Sequence, residues 1–93
     1  MTDAPRHRQD VLNDHFRLTA ELCSLTGEYH RLLQKVAAAG FARQLAEGGP
    51  DADLVAAERM EVGARLAADN CELRIEDMEQ RLTALARELA ALR

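Results

Sequence analysis

The feature that most limits what this chain can become is a pair of heptad seams divided by a single Gly48-Gly49-Pro50 break. Before the break, Val11, His15, Leu18, Leu22, Leu25, Tyr29, Leu32, Val36 and Ala39 alternate steps of four and three. After it, Leu54, Ala57, Glu61, Ala64, Ala68, Cys71, Ile75, Met78, Leu82, Leu85, Leu89 and Leu92 repeat the pattern. This spacing gathers each set on one side of an α-helix, and the apolar side must bury against another helix. The chain is therefore expected to be all-α: a long antiparallel two-helix hairpin, coiled-coil-like, dimerising into a four-helix bundle.

A single domain over residues 1–93 follows, with helix 1 at about 5–47, a turn at 48–52 and helix 2 at about 53–92. Thr2 or Asp3 can cap the first helix, and Pro5 is tolerated in its first turn, where the N–H would lack a partner anyway. Gly48 and Gly49 supply a left-handed end, Pro50 stops the pattern, and Asp51 or Asp53 caps the second helix. Helices of ~40 residues run to ~60 Å, and so short a loop makes them antiparallel neighbours. Folding about Pro50 gives a register in which facing residue numbers add to 100. Val11 then meets Leu89, Leu18 meets Leu82, Leu25 meets Ile75 and Tyr29 meets Cys71. Near the turn Leu32 and Val36 face Ala68 and Ala64, so large side chains interdigitate with small ones.

Flanking charge agrees with this pairing. Asp14, Glu21 and Glu28 line one edge of the first seam, and Arg74 and Arg81 line the matching edge of the second. Each exposed pair contributes only a few tenths of a kcal/mol, so the signs support the register without enforcing it. A parallel coiled coil between two chains competes over Ile75 to Leu92, where Arg74 would meet Glu79 of the other copy. The Ala-rich region near the turn fits the hairpin better.

A hairpin leaves further apolar residues uncovered. A second row on helix 1 runs Leu12, Phe16, Thr19, Cys23, Thr26, His30, Leu33 and Ala37, while Val55, Val62, Leu66 and Leu73 lie away from the seam of helix 2. Burying one large apolar side chain is worth ~1.5–3 kcal/mol, and aligned rows need a reason that scattered residues do not. The expected interface, with a second copy or another protein, is Leu12, Phe16, Cys23, Leu33, Val62, Leu66 and Leu73. Self-association as a homodimer is the simpler reading, and an unidentified protein partner is the sharper one.

Composition excludes other classes. The net charge of −4 opposes nucleic acid as the main partner, since phosphate binding needs a basic face. The alternative function, a dimeric regulator, would touch nucleic acid through Arg6, Arg8 and Arg17. No apolar run approaches the ~20 residues that span a bilayer. Residues 1–10 do not read as a signal peptide, and the two cysteines, 48 positions apart, form no framework. A reducing cytoplasm is the default.

Chemistry finds little to stand on. No Glu has His three positions later, and no two His or Cys residues fall within one helical turn, so neither a di-iron nor a zinc site is indicated. Cys23 and His30 share one row, where a small apolar Cys beside a partly exposed His is the plainer reading. Gly48-Gly49 lacks the Lys-Ser/Thr of a phosphate loop. His15, on the seam, reads as a register element that could also loosen its layer on protonation near pH ~6.5. Tyr29 can bury its ring while the hydroxyl reaches the edge. Two helices enclose no pocket for an activated nucleophile. The reading is a non-enzymatic interaction module without cofactor or metal: an adaptor, small chaperone or assembly subunit.

Overall fold

The computed structural model describes residues 6–92 and consists of two helices, α1 (Arg8–Ala46) and α2 (Asp51–Ala91), folded back on each other. The hairpin measures 66 × 26 × 14 Å. Every residue of both seams is buried or half-buried. The first seam also continues two steps beyond Ala39, to Arg43 and Ala46, both half-buried. The hydrophobic periodicity has thus selected which side of each helix faces inward.

The turn differs from expectation in detail. Gly48 takes the left-handed conformation, at φ 82°, where a side chain would be strained. Gly49 does not share it, and its N–H instead bonds the Ala46 carbonyl at 3.2 Å. Helix α2 starts at Asp51, two residues earlier than expected, and its N-cap is Pro50 rather than an aspartate. The proline's fixed φ, here −57°, already suits a helix entry, and its carbonyl accepts from the N–H groups of Asp53 and Leu54. Asp51 and Asp53 sit in the first turn, where their charge complements the helix dipole. At the other end α1 starts at Arg8, not near residue 5. His7 is extended and its side chain makes no capping bond. The capping role expected of Thr2 or Asp3, and Pro5 with it, lies outside the described residues.

The core is a line, not a ball. Val11, Leu18 and Leu85 form its apolar cluster, with Met78, Leu82, Leu89 and Leu92 packed against them at the open end. Toward the turn the buried residues shrink to Ala39, Ala68 and Cys71. Contacts across the hairpin keep to the register of folding about Pro50 within about one helical turn. The Cys71 thiol donates to the Leu25 carbonyl at 3.6 Å, and Tyr29 Oη lies 3.5 Å from Glu72. Of the charged edge, Arg74 reaches Glu28 at 4.0 Å, while Arg81 pairs within its own helix with Asp77. Arg74, which a parallel coiled coil would have paired with Glu79 of the other copy, is engaged inside the hairpin.

A candidate interaction face on the first helix

Because the seam takes one side of α1, the rest of that helix is left to water, and its charges are not spread evenly there. Between Gln9 and Ala46 the charged residues are Asp10, Asp14, Arg17, Glu21, Glu28, Arg31, Lys35 and Arg43. Apart from Arg43, which lies on the seam, all fall on two adjacent rows at one edge. The three rows on the other side carry no Asp, Glu, Lys or Arg. They are Leu12, Thr19, Thr26, Leu33 and Gly40; Phe16, Cys23, His30, Ala37 and Gln44; and Asn13, Ala20, Gly27, Gln34 and Phe41. In a chain with 30% charged residues, a solvent-facing side this long without charge is a surface of distinct character. Only Leu12, Gly27 and Gly40 among the fifteen are half-buried, and the rest are exposed. Phe16 leaves 66% of its surface in water and Phe41 62%. The Phe16 ring stands edge-on to His15 at 6.4 Å, so the seam histidine supports its inner side.

The structure divides the expected interface residues. Leu12, Phe16, Cys23 and Leu33 share this uncharged face. Leu73 does not: it lines an open groove with Arg74, Asp77 and Arg81 on the charged edge, beside Leu25 and Met78. Val62 and Leu66 stand exposed on α2, where Arg59, Arg65 and Asp69 interrupt them. Periodicity of apolar residues placed Leu73 with the others because it registers distance from the seam, not which edge a residue occupies. Phe41, Leu45 and Met60, all exposed, escaped that reading. The signal that finds Phe41 is the absence of charge along three rows, which counts of apolar residues do not register.

The opposite edge is charged and grooved. One groove there, about 470 Å³, is open and walled by Ala38, Ala39, Ala42, Met60 and Ala64 with Lys35 at its rim. Arg6 bonds Glu88 at 2.8 Å and also Asp14, which Arg17 approaches at 3.6 Å. Glu88 is held below the usual carboxylate range, chiefly by that hydrogen bond. Two of the three arginines considered for nucleic acid are thus turned toward carboxylates of their own hairpin.

One polar layer interrupts the seam near the turn. Glu61 accepts from Arg43 at 2.6 Å and from Arg65 at 3.4 Å, and Arg43 also reaches Glu47. Glu61 is only 15% exposed at its side chain, and the Arg43 hydrogen bond holds its carboxyl below the usual range. Tyr29 is pushed up, first by burial and then by the charge of Glu72. Neither arrangement places a nucleophile beside an oriented base. Among the described residues no three His, Cys, Asp or Glu side chains converge as metal ligands, and no helix is long and apolar enough to cross a membrane. Cys23 is exposed and Cys71 buried, on different helices.

Fold and surface together define a two-helix antiparallel hairpin whose first helix is charged on one side and uncharged on the other. Compared with protein-family models, curated proteins and solved structures, the chain matches none of them.

Proposed function

We propose that this hairpin is a non-enzymatic protein–protein interaction module of the cytoplasm, working through helix–helix packing as an adaptor, small chaperone or assembly subunit. The observation that carries the reading is the uncharged face of α1, about 48 Å from Leu12 to Gln44 at 1.5 Å per residue, with two phenylalanines in water. Exposed aromatic side chains on a charge-free surface are what the centres of protein interfaces are made of. Self-association is the first use of that face, because an uncharged surface meets its own copy without like-charge repulsion. The electrostatics disfavour nucleic acid, since Arg6 and Arg17 are already paired.

The test is light scattering across protein concentration on wild type, Phe16→Asp and Leu66→Asp. Phe16→Asp buries an unpaired carboxylate in the interface and should leave a folded monomer. Leu66→Asp, on the other helix, should keep the wild-type mass. A wild type that stays monomeric at high concentration would refute self-association and turn the face over to a different protein.

A further inference from the structure

The two ends of the hairpin are closed by different means. Gly48 to Pro50 joins the helices covalently at one end, while Val11, Leu18 and Leu85, with Leu89 and Leu92 against them, pack at the other. Helix ends fray, and α2 ends on Glu88-Leu89-Ala90-Ala91, with no basic residue in its last turn to offset the negative end of its dipole. We propose that Arg6, just ahead of α1, supplies the missing cation and acts as an electrostatic strap across the open end. Held by it, the last two turns of α2 stay down on the apolar cluster. Released, they lift and bare Leu85, Leu89 and Leu92.

The contacts are those of a clasp and not of a passing surface pair. Arg6 Nε donates to one oxygen of Glu88 at 2.8 Å and Nη2 to the other at 2.9 Å, a two-pronged fork. The remaining nitrogen, Nη1, donates to Asp14 of α1, which Arg17 also approaches at 3.6 Å. One guanidinium thus ties together a carboxylate from each helix. An isolated exposed pair is worth little, because two long side chains must be held in place for one contact; a forked arginine within a network is the exception. Arg81 and Arg65 do nothing of this kind, since each pairs one turn away on its own helix, with Asp77 and Glu61. Arg6 and Glu88 are 82 positions apart, so their contact closes the chain into a ring at the end where no turn does. The three side chains remain between 32% and 42% exposed, so dissolved ions reach the strap and its hold depends on ionic strength.

The measurement is hydrogen exchange at the amides of residues 85–91 of α2 in wild type, Arg6→Gln, Arg6→Lys and Arg81→Gln. Exchange is followed at about 0.01 M salt, where charges act over ~30 Å, and at about 1 M, where they act over ~3 Å. In wild type, protection of these amides should fall at least about threefold on going to high salt, a loss within the reach of an exposed ion network. Arg6→Gln should show that lower protection already at low salt and respond little to more. Arg6→Lys keeps the charge but cannot fork, and should recover only part of the protection. Arg81→Gln should behave as wild type, and residues 68–75, in the middle of α2, should exchange alike in all four proteins at a given salt. Wild-type protection of residues 85–91 in Arg6→Gln at low salt would overturn the strap. So would an equal loss at residues 68–75, which would mean general destabilisation and not release of this end. Full recovery in Arg6→Lys would overturn the fork.

Discussion

At the scale of residues, Glu61 shows how a carboxylate comes to occupy an apolar seam. Its heptad position demands burial, and its chemistry demands partners. Arg43 meets both demands by continuing the first seam one step beyond Ala39. The pair is expected to specify register more than to add stability, because two charges leave water to form it. Its pH dependence has a definite sign. A carboxyl held low in the folded state carries stability that is fully present above its unfolded pKa of ~4.3, and loses it as pH falls through the lower folded value. Glu88, held by Arg6, acts in the same direction. Thermal melting should fall as the pH drops below about 4. Glu61→Gln should melt lower than wild type at pH 7 and lose less on acidification. An equal acid slope in the two proteins would show that Glu61 is not responsible.

At the scale of elements, the two helices are held by a narrow line of contacts in which depth of burial decides energetic weight. Leu18 is 7% exposed within the Val11–Leu85 cluster, while Leu73 is 62% exposed on the rim of a groove. Leu18→Ala removes buried methyl groups and leaves a void, costing ~2–4 kcal/mol, whereas Leu73→Ala should change stability by under ~0.5 kcal/mol. Urea unfolding of both variants checks the difference, and comparable losses would mean that Leu73 is buried in solution. The helix ends follow a different logic. Neither α1 nor α2 begins with a side-chain cap. Pro50 sets the entry of α2 through its ring, and the aspartates that looked like caps contribute to the dipole from inside the first turn.

At the scale of the whole molecule, a 66 Å rod only two helices wide buries little of its own surface, and its main apolar cluster lies at the end away from the turn. Antiparallel folding within one chain is what brings that end together. Cysteines at Leu18 and Leu82, with Cys23 and Cys71 replaced, should therefore oxidise within a single chain and leave the mass monomeric under denaturing conditions. Facing seam positions alone come within the about 7 Å between Cα atoms that a disulfide needs. A product crosslinked only between chains would mean that the hairpin opens and exchanges helices with a neighbour.

Seam membership, the location of the turn and the approximate register were legible in the sequence, because all three follow from a repeat of apolar residues and one Gly-Gly-Pro interruption. Heptad spacing acts locally, so residues as far apart as Val11 and Leu92 declared their side of the helix without reference to each other. What only the tertiary structure decided was how the remaining surface divides. Leu73 and Phe16 are both apolar and both off the seam, yet packing α2 against α1 sends one to the charged edge and the other to the uncharged flank. It also joined Arg43 to Glu61 and Arg6 to Glu88, since a long arginine side chain chooses its carboxylate by distance across two helices, which no spacing within one helix encodes.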